Sequence, residues 1–137
     1  MSKCIFCEIA SGRIPSIRIY EDEDFIVFMD INPITEGHCL IVSRNHYSTL
    51  TDVPDELLSR ALPLAKKIAT ATMLGVGAEG FNLIGNNGEI SGQLVDHWHL
   101  HIIPRRDKKE LRFKQGEPAD LTKLPFVADN IRTNLSN

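Results

Sequence analysis

The 137 residues contain no apolar run approaching the roughly 20 residues needed to cross a bilayer. The opening Met-Ser-Lys-Cys-Ile-Phe-Cys-Glu lacks a charged-then-apolar signal region. A basic excess is also missing. Fifteen Lys and Arg stand against eighteen Asp and Glu, a net charge of −3, which excludes a protein whose main work is coating nucleic acid. Cysteine is scarce: three residues, an odd number, cannot make a disulfide framework. There is no internal repeat and no low-complexity tract. What remains is an ordinary balance of 42% hydrophobic and 24% charged residues in a length that suits one domain, and the expectation is a cytoplasmic protein with no membrane partner.

The local pattern predicts an α+β domain. Residues 4–11 read as a short helix closed by Gly12, and Ile17–Tyr20 and Phe25–Met29 as two strands joined by the acidic turn Glu21–Asp24. His38–Ser43 is a third, buried strand. Thr51 or Asp52 can cap a long helix, with Pro54 in its first turn. Its core stripe is Leu57, Leu58, Ala61, Leu62, Ala65, Ile68 and Ala69, Pro63 is expected to kink it near residues 59–62, and Gly75 and Gly77 end it. Phe81–Gly85 and Leu94–Ile103 complete five strands, the last stopped by Pro104. The stretch from Arg105 to Lys114 is basic and, at a net charge of −3, reads mainly as a solvated loop, with contact to polyphosphates or nucleic acid as the lesser option. Residues 121–135 suggest a final helix interrupted at Pro125. Hairpin strands grouped around one long helix imply a mainly antiparallel sheet.

The informative segment is His97-Trp98-His99-Leu100-His101. With five histidines in the chain, about 0.003 triplets at this spacing are expected by chance. In a strand the three imidazoles share one face and Trp98, Leu100 and Ile102 the other. They spread over roughly 13 Å, so three such ligands on one straight strand do not converge on a tetrahedral ion. A neutral imidazole is instead a good nucleophile toward phosphorus, provided its other ring nitrogen is occupied. The preceding small-residue loop, Asn86 to Gly92, offers N–H groups for phosphate oxygens. Cys4-x-x-Cys7 is a metal or redox candidate, and Cys39 a core residue.

His97 to Ile103, alternating histidine with apolar residues, resembles the signature of the histidine triad (HIT) superfamily of nucleotide hydrolases and transferases. Cys4-Ile5-Phe6-Cys7, Ile14-Pro15, Tyr20-Glu21-Asp22, Asp30-Ile31-Asn32-Pro33, Gly37-His38, His46-Tyr47, Asn86-Asn87-Gly88, Gly92-Gln93 and Ile103-Pro104-Arg105 are similar to its nucleoside phosphoramidase branch and small bacterial relatives. The likeness implies a five-stranded sheet continued across a homodimer, a domain over residues 1–106, and an extension over 107–137 packed on or next to it.

The resemblance further implies hydrolysis of a phosphoramidate or acyl-phosphate bond on a purine nucleotide such as AMP or GMP. Alternatives are dinucleoside polyphosphate hydrolysis or nucleotide-binding regulation. His99 is implied as nucleophile toward the α-phosphorus and His101 as holder of a phosphate oxygen or the leaving group. His38 is either a second-layer partner of the triad or a satisfied core histidine. Asn86 and the Gly92-Gln93 backbone are implied phosphate binders, and Asp30 the acceptor of the ribose hydroxyls. Ile5, Phe6, Ile9 and Phe28 are candidates to sandwich the base, or plain core. A structural zinc is implied on Cys4, Cys7, His46 and His97, and no organic cofactor. Two departures stand out: Asp96, where proline or an aromatic is common, and Leu94, where the phosphoramidase branch has a serine touching phosphate.

Overall fold

The computed structural model describes residues 4–135. Helix α1 (Ile5–Ala10) is followed by strands β1 (Arg18–Glu21), β2 (Phe25–Met29) and β3 (Cys39–Ser43), helix α2 (Asp55–Val76), strands β4 (Gly80–Ile84) and β5 (His99–Arg105), and helix α3 (Leu124–Leu135). The strands form one sheet in the order β1-β2-β3-β5-β4, every neighbour pair antiparallel, as an α+β reading requires. None of the helices among the described residues is long and apolar enough to cross a membrane.

β2 and β3 are continuous apolar runs because both faces of the sheet are covered. Phe25, Val27, Cys39, Ile41 and Ile102 point toward α2, joined there by Trp98 just before β5. Ile26, Phe28, Leu40 and Val42 point the other way, toward Phe6 and Ile9 of α1. The short α1 is held at its start by the Cys4 Sγ, which accepts the Cys7 N–H, and at its end by the Arg18 guanidinium on the Ile9 and Ala10 carbonyls.

Several expectations are corrected. In α2, Leu64 rather than Leu62 joins the stripe: Leu64 is buried at 7% exposure, and Leu62 is 64% exposed. The N-cap of α2 is Pro54, which lies just outside the first turn, while Thr51 and Asp52 belong to a separate 3-10 turn over Leu50–Asp52 capped by Thr49. α2 runs continuously through Pro63, and both Pro63 and Ser59, whose carbonyl it leaves without a helix hydrogen bond, face solvent. Gly75 lies inside α2, and Gly77, in the left-handed region at φ 68°, ends it. Pro125 does not interrupt α3 but sits in its first turn, where a missing N–H costs nothing.

The last central strand also differs. β5 starts at His99 and runs through Pro104, which pairs with Phe81 of β4. β3 has ended by then, its last partner being Ile102 opposite Cys39. The Pro104 carbonyl instead accepts the Thr35 hydroxyl at 2.6 Å, so the side where proline has no N–H needs none.

The charged loops carry structure as well. Asp22 is no mere solvated tip, since its carboxylate accepts the Asp24 and Phe25 N–H groups and the Tyr20 hydroxyl. Arg105 donates to the carbonyls of Asp107, Lys108 and Leu111 and to Asn82, and Arg106 to the Val76 carbonyl. Those two arginines are therefore committed to the fold. α3 buries none of its residues, and Leu124, Val127, Ile131 and Leu135 form an exposed apolar stripe at helical spacing.

Candidate functional site

The α1 face of β5 carries the site. Val42 pairs with His99 and Leu40 with His101, so both imidazoles share a face with the inner layer under α1. His97 lies two residues ahead of the strand, yet its ring sits on the same side, with Phe6 edge-on at 5.9 Å and His46 at 4.9 Å between centroids. The face is not wet: His97 and His99 are buried, and Phe6 closes edge-on over His99 at 4.9 Å.

Hydrogen bonds determine which ring nitrogen carries each proton. His99 Nδ1 lies 2.6 Å from the His97 carbonyl oxygen, which only accepts, so Nδ1 holds the hydrogen and Nε2 keeps its lone pair. Burial pushes the His99 pKa down, keeping the ring neutral near pH 7. The second chain begins at the Ile34 N–H, which donates to His38 Nδ1 at 3.0 Å. His38 Nε2 must then carry the hydrogen, and it donates to His101 Nδ1 at 3.0 Å. His101 in turn holds its own hydrogen on Nε2. Burial, followed by the neighbouring His99 and His38, pushes the His101 pKa down to about 4. The pair therefore offers one lone pair and one N–H side by side.

His38 is held for this task by its entrance. Gly37 has φ 94°, and a Cβ there would lie 2.9 Å from a Val76 methyl and 3.1 Å from Pro104. Asp30 Oδ2 stands 3.4 Å from His38 Nε2, and Asp30 Oδ1 accepts the Asn32 N–H. Asp30, His38 and His101 are close enough to be considered as metal ligands. The hydrogen on His38 Nε2 occupies the lone pair such a ligand would need.

Cys4, Cys7, His46 and His97 do fit a metal. Their ligand atoms all lie within 4.8 Å of one another. Cys4 Sγ is 3.2 Å and Cys7 Sγ 3.5 Å from His97 Nδ1, and Cys7 Sγ is 3.4 Å from His46 Nδ1. His97 Nε2 donates to the Ser43 carbonyl at 2.7 Å, which leaves Nδ1 as a lone pair facing the sulfurs. An outer carbonyl that orients a ligating imidazole is the usual second layer of a zinc site. The Cys7 thiol is pushed up to about 11 by burial, with Cys4 beside it.

The small-residue loop follows the strand that pairs with β5. Asn86 follows β4 two residues past Ile84, which pairs with His101. The loop is shaped by a residue expected to act only through its backbone. The buried Gln93 side chain accepts the Gly88 N–H at 2.7 Å and donates to the Ser48 carbonyl at 2.7 Å. Asn87 accepts the Leu50 N–H at 2.8 Å. Sequence reasoning missed Ser43, Ser48 and Asn87 in these roles. Two of them act through main-chain carbonyls, which leave no mark on residue type.

Of the base-sandwich candidates, Phe6, Ile9 and Phe28 are buried in the α1 layer, and Ile5 is 47% exposed. Leu94 is 95% exposed beside the loop. Asp96 is also exposed, and its charge acts on His97 against a larger effect of burial.

A five-stranded antiparallel sheet with alternating histidines on one face of a central strand is the arrangement of the histidine triad class. Residues 11–108 match the HIT domain, and the chain belongs to that family. It is 45% identical over 106 residues to adenosine 5'-monophosphoramidase HNT1 of Saccharomyces cerevisiae, covering 77% of this chain and 65% of that protein. The structure of SMU.412c from Streptococcus mutans is similar at a TM-score of 0.89 and 38% identity, over 98% of this chain and 87% of that one. A Zn-bound histidine triad family protein from Mycobacterium smegmatis is similar at a TM-score of 0.75 and 36% identity, over 98% of this chain and 97% of that one.

Proposed function

We propose that the chain is a nucleotide hydrolase that cleaves a phosphoramidate or acyl-phosphate bond on a purine nucleoside monophosphate, with His99 as nucleophile. The observation that carries this reading is the paired tautomers. His99 Nε2 is a lone pair, and His101 Nε2 beside it is a hydrogen-bond donor. The yeast relative's name, a monophosphoramidase, agrees with it.

In the first step the His99 Nε2 lone pair attacks the α-phosphorus. The phosphorus–nitrogen bond breaks, and the leaving nitrogen keeps the electron pair and takes a proton from solvent. His101 Nε2–H donates to a phosphoryl oxygen or the leaving nitrogen, stabilising charge that grows in the transition state. Water then attacks the nucleotidyl-histidine, the bond to His99 breaks, and one proton returns to solvent. The products are a nucleoside monophosphate and an amine. Asn86, Gly92 and the Gln93 backbone bind the phosphate, Asp30 accepts from the ribose, and Ile5, Phe6, Ile9 and Phe28 face the base.

A zinc on Cys4, Cys7, His46 and His97 is structural in this reading. It ties the start of α1 to the residue whose carbonyl orients His99. The zinc-bound relative and the closeness of the four ligand atoms support it. Residues 1–106 form the catalytic domain and 107–137 an extension. The chain works as a homodimer, for which the exposed β4 edge with Phe81 and Leu83, and the apolar stripe of α3, supply uncovered surface.

The test is intact-protein mass spectrometry after a brief acid quench with adenosine 5′-phosphoramidate. A nucleotidyl adduct present in the native chain and absent in His99→Ala supports the reading. Full turnover by His99→Ala overturns it.

A further inference from the structure

We propose that Asp30, His38 and His101 act as one hydrogen-bonded unit, through which ribose hydroxyls at Asp30 strengthen the donor at His101, so that the sugar is read in the chemical step and not in binding alone. The inference rests on the nucleotide reading above and adds a wire between two of its ends.

Three observations carry it. His38 Nε2 has one hydrogen and two acceptors in reach, His101 Nδ1 at 3.0 Å and Asp30 Oδ2 at 3.4 Å. His38 cannot answer by turning its other nitrogen, because Nδ1 is held by the Ile34 N–H at 3.0 Å and the ring is only 2% exposed. Asp30 is fastened to the same unit by its own N–H on the His38 carbonyl at 3.0 Å, and its Oδ1 accepts the Asn32 N–H at 2.8 Å. Its side chain keeps 19% exposure, so Oδ2 is the oxygen left to meet a ligand.

With no ligand, the full negative charge of the carboxylate competes with His101 for the His38 hydrogen. A diol donating to Asp30 draws on that charge, and the His38 hydrogen bond then goes wholly to His101 Nδ1. An imidazole that accepts more strongly at one nitrogen is a better donor at the other, because hydrogen bonds in a chain polarise one another. His101 Nε2–H is thus at its strongest when the sugar is seated. A carboxylate that only bound ribose would have no reason to stand against the buried partner of the reacting pair.

The experiment compares adenosine 5′-phosphoramidate with its 2′,3′-dideoxy analogue in single-turnover kinetics, using the native chain and Asp30→Asn. The amide keeps the Asn32 contact and an acceptor for the sugar but removes the charge. In the native chain the dideoxy substrate is expected to react about ten-fold more slowly at saturation, a part of the 10²–10³ that a donor to a developing oxyanion supplies. In Asp30→Asn the two substrates are expected to react at equal saturated rates. A penalty confined to KM in the native chain, or one of equal size in Asp30→Asn, overturns the inference and leaves the hydrolase reading intact.

If neither substrate reacts, the hydrolase reading fails, and the coupling is decided by ¹⁵N NMR of the histidine rings. Signals of His38 and His101 that shift with AMP and not with 2′,3′-dideoxy-AMP support the unit. Equal shifts with both, or shifts with neither, overturn it.

Discussion

The Nδ1–H of His99 donates to the carbonyl oxygen of His97 at 2.6 Å, while the His97 ring itself donates to the Ser43 carbonyl and turns its free nitrogen toward Cys4 and Cys7. One residue therefore belongs to the cysteine cluster by its side chain and to His99 by its main chain. The two changes His99→Ala and His97→Ala should separate these roles. His99→Ala is expected to lose at least about 10³-fold in turnover while melting within a few degrees of the native chain. His97→Ala is expected to lose activity and thermal stability together, because Cys4 and Cys7 at the start of α1 lose the imidazole they pack against. Equal melting temperatures for the two variants would break the link.

Gln93 joins the Asn86–Gly92 loop to the segment after His46 through both ends of its amide. Gln93→Met keeps the volume and leaves the Gly88 N–H and the Ser48 carbonyl without partners. Unpaired buried groups cost about 1–3 kcal/mol each, so the variant should be destabilised by about 2 kcal/mol or more in urea unfolding. It should also bind AMP more weakly. Unchanged AMP affinity in Gln93→Met would remove the loop from the binding machinery.

Much of this was legible in the sequence for physical reasons. Phe25–Met29 reads as a strand with its observed ends because five consecutive apolar β-formers fit a doubly covered sheet. The histidine alternation assigned a shared face correctly, since His99 and His101 do lie on one side of β5. The start of β5 was not legible. Asp96 and His97 alternate like strand residues, but the His97 N–H bonds the Val95 carbonyl at 2.8 Å and the chain turns there. Pro104 was misread for the opposite reason, because only the end of β3 makes proline harmless at that position. Nor could residue types reveal that Ser43 and Ser48 matter through their carbonyls.

The exchange of Leu62 for Leu64 in the core stripe of α2 can be measured. Leu64 lies in the layer against the sheet and Leu62 points to solvent. Leu64→Ala is expected to cost about 2–5 kcal/mol in denaturant unfolding, the range for a buried leucine. Leu62→Ala is expected to stay within about 0.5 kcal/mol, as surface changes do. Similar costs at the two positions would contradict the burial seen here.

Acid should weaken the fold through the same histidines that make the site. The His101 pKa is held down to about 4 from 6.5, by burial first and then by His99 and His38, and His38 is lowered by burial as well. Between pH 6.5 and 4 the unfolded chain binds protons at these positions that the folded chain refuses. Stability therefore rises with pH across that window and is lost as the pH falls through it. The urea midpoint should drop from pH 7 to pH 5. The drop should be smaller in His101→Asn, whose Oδ1 still accepts from His38 but which takes up no proton. A slope in the variant as steep as in the native chain would place the acid sensitivity elsewhere.

Metal binding should be visible in the fold before it is visible in any reaction. Cys4, Cys7, His46 and His97 bring together a residue before α1, one within it, one between β3 and α2, and one just ahead of β5. An ion bound only by the folded chain stabilises it by about 2.7 kcal/mol when its free concentration is a hundred times Kd. Addition of zinc to chelator-treated protein should raise the melting temperature by several degrees and take up one equivalent per chain. Cys4→Ser with Cys7→Ser should abolish both effects, because two imidazoles alone hold zinc poorly. A melting temperature indifferent to zinc in the native chain would refute the site. Uptake that survives the double variant would move it to other residues.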